Sequence, residues 1–169
     1  CVQCHGSGAA GGGGYPNLND DDWLWGGTLE AIHATLRHGV RFEADDDTRL
    51  SDMPAFGADE LLEREEIADT ADFVLQLAGL EHDSAAAERG AVLYEDNCSA
   101  CHGESGEGDQ DLGAPDLADA IWFYGNDKPS IVAQISAPRH GVMPAWQGRL
   151  DDATLKQLAI YVHQLGGGE

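Results

Sequence analysis

Two short strings contain every cysteine of the 169-residue chain: Cys1-Val2-Gln3-Cys4-His5 and Cys98-Ser99-Ala100-Cys101-His102. In each, two residues separate a pair of thiols and a histidine follows at once. That spacing suits thioether bonds from both thiols to the two vinyl groups of one porphyrin, with the adjacent imidazole turned towards the iron. The sequence therefore specifies two covalently attached c-type haems, one per motif. Paired cysteine knuckles of a single zinc site lie ~15–20 residues apart, whereas these lie 97 apart and each carries a histidine that a zinc ribbon does not need. A thioredoxin-like motif would need a surrounding βαβ pattern, which is missing. A disulfide inside either motif would be strained and would leave both histidines idle.

An iron that only exchanges electrons needs a sixth ligand, and a thioether opposite histidine raises its reduction potential. The chain has two methionines, each opening a Met-Pro-Ala-aromatic string: Met53-Pro54-Ala55-Phe56 and Met143-Pro144-Ala145-Trp146. Met53 and Met143 are the expected distal ligands, each for the iron of its own half, with gap-filling in a core as the competing role. Pro16 and Pro115 have no amide hydrogen, yet their carbonyls could accept the ring N–H of His5 and His102 and fix each imidazole. Arg37 and Arg139, or the indoles of Trp25 and Trp122, are candidates to meet haem propionates, with plain packing as the alternative. His33, His82 and His163 read as exposed helix or loop residues, and His38 and His140 as propionate contacts or alternatives to methionine. None of these histidines is assigned to iron, and no residue is given a catalytic role.

The elements that position these side chains form an internal repeat. Pro16-Asn17-Leu18 matches Pro115-Asp116-Leu117, and Trp23-Leu24-Trp25-Gly26 matches Trp122-Phe123-Tyr124-Gly125, both at an offset of 99. Arg37-His38-Gly39-Val40 matches Arg139-His140-Gly141-Val142 at 102, and the methionine strings match at 90. The first copy therefore holds 12 extra residues from Arg41 onwards, which read as a solvated loop. Each copy closes on an amphipathic helix. One is expected from Asp59 to Ala78, with Ile67, Ala71 and Val74 on one face and Gly79 as its stop. The other follows Asp151 or Asp152 as N-cap, presents Leu155, Leu158, Ala159, Val162 and Leu165, and ends at Gly166. A helix capped by Ser84 precedes the second haem motif, where Gly90 and Tyr94 share a face suited to a closely crossing helix. Shorter helices are expected over Thr28 to His38 and Ser130 to Ile135. The pattern is all-α, with domains over 1–82 and 83–169.

Composition narrows the functions further. Nine Lys and Arg against 31 Asp and Glu give a formal charge of −22, which excludes a nucleic-acid backbone as partner. The longest apolar runs, such as Leu155 to Val162, fall short of the ~20 residues a membrane-spanning helix needs, so this piece is expected to be soluble. With aromatics at 7% and 22 glycines, two small domains would have thin protein cores, and bound porphyrin would have to complete them. Acidic runs at Asp20 to Asp22, Asp45 to Asp47 and Glu104 to Asp111 lie in both halves, which suits a salt-rich habitat better than steering of one basic donor.

Several strings go beyond a generic haem motif. Asp21-Asp22-Trp23-Leu24-Trp25-Gly26-Gly27, Ser51-Asp52-Met53-Pro54-Ala55-Phe56, Leu112-Gly113-Ala114-Pro115-Asp116-Leu117 and Arg139-His140-Gly141-Val142-Met143-Pro144-Ala145-Trp146 resemble the diheme subunit (subunit III, CcoP/FixP) of cbb3-type cytochrome c oxidases. Each half also resembles a class I cytochrome c domain in the order of its helix, Cys-x-x-Cys-His, Pro, Met and closing helix. The resemblance implies two tandem class I cytochrome c domains, each wrapped around one haem c. It implies a place on the periplasmic side of the bacterial inner membrane, held there by an N-terminal anchor. Because Cys1 is already a haem thiol, the anchor and the first half's opening helix are expected in a longer parent. By the same resemblance, single electrons pass from a donor cytochrome c to a monohaem subunit and the oxygen-reducing catalytic subunit, within the respiratory chain and oxidative phosphorylation. Such a chain is an electron-transfer subunit and not itself an enzyme. A free-standing diheme carrier or a cytochrome subunit of a periplasmic dehydrogenase is the nearer alternative. A diheme peroxidase is further away, since two filled iron positions leave none for peroxide.

Covalent attachment at both motifs has a direct readout. Acid–acetone extraction should leave the colour on the polypeptide, and a pyridine haemochrome assay should count two haem c groups per chain. Colour in the solvent, or the mass of the bare chain, would end this reading.

Overall fold

The longer helices begin where a side chain can satisfy the amides that no preceding carbonyl reaches. In the computed structural model, which describes residues 1–168, these are α2 (Leu29–His38), α3 (Arg64–Leu77), α4 (Ser84–Asn97), α6 (Lys128–Ser136) and α7 (Asp152–Leu165), joined by the single turns α1 (Val2–His5) and α5 (Ser99–His102). Thr28 caps α2 by accepting from Ala31 N, Asp127 caps α6 through Ser130 N, and Asp151 caps α7 through Thr154 N. Asp83, rather than Ser84, caps α4 by accepting from both Ala85 N and Ala86 N. Helix α3 starts at Arg64 and not at Asp59. Glu60 is left-handed at φ 56° and Glu63 is extended, with its amide donating to Glu66 at 2.8 Å. Among the described residues only isolated β-bridges accompany the helices, so the chain is all-α.

The chain folds into two compact units, but these do not coincide with the halves 1–82 and 83–169. One unit comprises Cys1–Ser51, Gln110–Leu112 and the chain from His140 onward, and the other comprises Asp52–Asp109 and Gly113–Arg139. Each unit therefore closes with the helix belonging to the other sequence repeat. In the first, α7 packs on α2 around Ile32, Leu36, Leu155 and Ala159. In the second, α3 packs on α4 and α6 around Phe56, Ile67, Ala71, Val74, Leu75, Tyr94, Ile131 and Ile135.

Chain connectivity supplies one reason for this interleaving. Only the short segment from Ala78 to Asp83 joins α3 to α4, and so brief a link favours helices that are neighbours in space. Gly90 lets them meet closely: a Cβ there would overlap the Asp69 carbonyl and the Thr70 amide. Arg89 adds a two-pronged pair to Asp69, both contacts at 2.6 Å. Asp72 is buried on α3, where it accepts from Lys128 Nζ at 2.5 Å and from Asp83 N at 3.2 Å. That pair ties α3 both to the start of α6 and to the α3–α4 link.

Gly90→Val should destabilise the α3–α4 unit by about 1–3 kcal/mol, as overpacking does. Gly13→Ala, where nothing lies within 4 Å, should stay within about 0.5 kcal/mol. Thermal melts of the two variants against the parent sequence check the contrast; equal effects would mean that the helices do not cross at Gly90.

Candidate metal centres

Both Cys-x-x-Cys-His strings form the same single turn. His5 N donates to Cys1 O at 2.9 Å and His102 N to Cys98 O at 3.0 Å. The glycine after each histidine is left-handed, φ 79° at Gly6 and 76° at Gly103, which turns the chain back across the imidazole. That return is fixed twice over. Gly11 N donates to His5 O and Gly108 N to His102 O, and at both glycines a Cβ would collide with the segment carrying the proline. The prolines thereby come to lie beside the rings. His5 Nδ1 lies 3.0 Å from Pro16 O, and His102 Nδ1 lies 3.0 Å from Pro115 O. With Nδ1–H donated to a carbonyl, Nε2 of each ring keeps its lone pair.

In the second turn the surroundings favour the neutral forms of His102 and Cys98. Burial holds His102 below the usual histidine range, partly offset by the Pro115 carbonyl, so its ring is neutral near pH 7. Burial, helped by Cys101, pushes the Cys98 thiol up to about 11. No cysteine is in a disulfide, and Cys1, Cys4 and Cys101 are exposed. Tyr94 also braces the second turn. Its hydroxyl donates to Gly103 O at 2.9 Å, and its ring packs against Phe73 with centroids 5.1 Å apart.

Each methionine loop docks on the end of a helix. The last carbonyls of a helix have no partner within it. At the end of α2 they accept from the Met143 loop: Trp146 N donates to Leu36 O at 3.0 Å and Gln147 N to Arg37 O at 3.2 Å. Val40 and Met143 exchange two further backbone bonds at 2.9 Å, and Gly39 admits the Met143 carbonyl where a Cβ would collide with it. At the end of α6 the Met53 loop does the same, with Gly57 N and Ala58 N both donating to Ser136 O. Met143 is half-buried against the core of the Cys1–His5 unit, and Met53 packs with Cys98 against the core of the other. The sequence reading pairs each methionine with the haem motif of its own half, whereas each methionine shares a compact unit with the other half's motif.

Among the softer candidates, Arg37 Nη2 donates to Gln147 at 3.4 Å, and Arg139 is exposed with its guanidinium 4.2 Å from the Tyr124 ring centre. Trp122 packs against the core of the second unit. Trp25 lies under two arginines that the sequence reading passed over, Arg41 at 6.0 Å and Arg49 at 5.5 Å. These sit in the 12-residue insert, which is not the solvated loop expected. Asp45, its side chain only 8% exposed, pairs with His38 at 3.1 Å and accepts from Gln147 at 2.6 Å. His33 is likewise less exposed than expected, and its Nε2 is buried 3.6 Å from Asp152. Two arginines flanking an otherwise acidic stretch were the available signal.

A family model described as cytochrome c oxidase, cbb3-type, subunit III matches residues 1–74 and again 85–162. The chain belongs to that family. It is 55% identical over its whole length to the cbb3-type cytochrome c oxidase subunit CcoP of Cereibacter sphaeroides, and 54% identical over 99% of its length to subunit FixPc of Rhizobium leguminosarum bv. viciae. Subunit FixP of Rhizobium meliloti is 51% identical over the full chain. The chain spans 58% of the length of each of these relatives. Two tandem class I cytochrome c domains and two covalently bound haem c groups follow from this membership. The residues present fit that group: unpaired thiols, imidazoles with one nitrogen committed and one available, and half-buried thioethers beside small cores.

Tyr94→Phe should cost about 1–2 kcal/mol, because the Gly103 carbonyl loses its donor while the ring contact stays. A denaturant titration measures it, and an unchanged midpoint would mean that the hydroxyl does not brace the turn.

Proposed function

We propose that this chain relays single electrons from a donor cytochrome c to the monohaem and catalytic subunits of a cbb3-type oxidase. The observation that carries the reading is the duplicated Cys-x-x-Cys-His turn whose histidine is held by a prolyl carbonyl, in a chain matching the subunit III family twice. When bound, haem c supplies a reversible one-electron iron couple. Cys1, Cys4 and His5 would hold the first haem, and Cys98, Cys101 and His102 the second. Met143, docked on α2, would join His5 in holding the first, and Met53, docked on α6, would join His102 in holding the second. Pro16 and Pro115 keep each imidazole in one tautomer and one orientation. Ligand loops anchored to helix ends change little with oxidation state, which suits electron exchange. Held by one histidine and one methionine each, the two haems would supply electron transfer and not catalysis.

The names of the relatives favour an oxidase subunit over a free-standing carrier, a dehydrogenase subunit or a peroxidase. We place the chain on the periplasmic side of the bacterial inner membrane, where exported thiols meet haem, and assign tethering to an N-terminal anchor of the parent protein. Among the described residues no helix is long and apolar enough to cross a membrane.

The crossed ligand set is tested in a protein that keeps only the first haem, Cys98→Ala with Cys101→Ala. There Met143→Leu should abolish the methionine–iron charge-transfer band and Met53→Leu should leave it intact. The opposite pattern restores the same-half pairing. Survival of the band in both variants removes methionine from that iron.

A further inference from the structure

In the unit built on Cys1–His5, one half-buried basic side chain has no carboxylate among the described residues hydrogen-bonded to it. Arg49 Nε is shielded from solvent and has no hydrogen-bond partner. Its Nη2 donates to Ala31 O at 3.1 Å and its guanidinium lies 5.5 Å from the centre of the Trp25 ring, which Arg41 also approaches at 6.0 Å. Among the described residues no carboxylate hydrogen-bonds to Arg49; Asp111 acts on it only through its field. In a chain with 31 acidic side chains and nine Lys and Arg, a guanidinium that burial keeps from direct pairing is costly unless an anion joins it.

Backbone bonds tie this arginine to the Met143 loop. Arg49 N donates to Gly39 O at 3.3 Å, Arg41 N to Arg49 O at 2.8 Å, and Arg41 Nη1 to Gly141 O at 3.3 Å. Gly39 in turn lies against the Met143 carbonyl. The guanidinium and the orphaned Nε–H therefore belong to the wall that carries the distal ligand.

The second unit makes the comparison, because Gly11 and Gly108 each lie against the segment that carries the unit's proline. Where the first has Ala10 and Asn17, the second has Glu107 and Asp116. The Glu107 carboxylate lies against Gly103 and accepts from Ser105 N at 2.9 Å, and amide hydrogen bonds hold it below the usual carboxylate range, so it is ionised. The insert that supplies Arg41 and Arg49 has no counterpart there. Arginines thus line the wall of the first unit's methionine loop, and carboxylates lie along the proline turn of the second.

We propose that Arg49, with Arg41 and the face of Trp25, forms a carboxylate subsite for a propionate of the haem attached at Cys1 and Cys4, and so makes the first haem the higher-potential centre of the two. This rests on the reading that both motifs carry haem. A cation beside the propionate favours the reduced iron, and carboxylates beside the other haem favour its oxidised state. At equilibrium the first electron to enter the chain resides in the Cys1–His5 unit.

Potentiometric titration of the full diheme protein, followed by visible absorption, tests this. Arg49→Gln should lower the upper transition by about tenfold in the redox equilibrium, about 59 mV for one electron, and leave the lower one in place. Arg49→Lys, which keeps the charge and loses the fork, should fall between. Met143→His, which changes the distal ligand in the first unit, identifies that unit's transition and should move the same one. An unmoved upper transition, equal shifts of both, or a shift confined to the transition that Met143→His leaves alone would overturn the proposal. If Arg49→Gln does not fold, the Arg49→Lys titration decides by the same criteria. A haemochrome count below two in the unsubstituted protein would instead remove the reading beneath it.

Discussion

The unpaired carbonyls at the end of a helix are the constraint on which this molecule turns. A helix that stops must find donors for its last carbonyls, and here the donors are the amides of the two methionine loops. Leu36 and Arg37 take theirs from Trp146 and Gln147, and Ser136 takes its donors from Gly57 and Ala58. Because a loop of one sequence repeat satisfies a helix of the other, the repeats exchange their closing segments. Each methionine string changes unit with that exchange, and so does the helix that completes each core.

The two units reach the same frame with different reserves. The second is stitched by charge: the Asp72–Lys128 pair joins α3 to α6, and the Asp69–Arg89 pair joins α3 to α4. The first relies on a smaller cluster of four buried apolar residues and on its insert, whose Asp45 reaches His38 and Gln147. A covalent haem fills such lean cores, since a porphyrin brings a large apolar surface that neither short helix pair supplies.

Much of the site was legible because its chemistry is local. Cys-x-x-Cys-His is a single turn, so spacing alone brings its thiols and its histidine together. The prolyl carbonyls were legible too, because only a short loop separates each from its ring. Capping residues placed α2, α6 and α7 to within a residue or two, whereas α3 began later than its periodicity suggested because Glu60 is left-handed. Arg49 was not legible: its importance comes from its place against Trp25, 24 residues away in the sequence, while the run Asp45 to Asp47 just before it suggests only a solvated loop.

Sequence by itself determined the all-α class and the attachment of two haems, for both depend on neighbours a few positions apart. Only the tertiary structure decided which half of the chain completes which unit. Both closing helices are amphipathic and both methionine strings are nearly identical, so periodicity cannot choose between the pairings. The choice falls to a brief α3–α4 link, a glycine that lets those helices touch, and helix-end carbonyls that bond a loop from the other repeat.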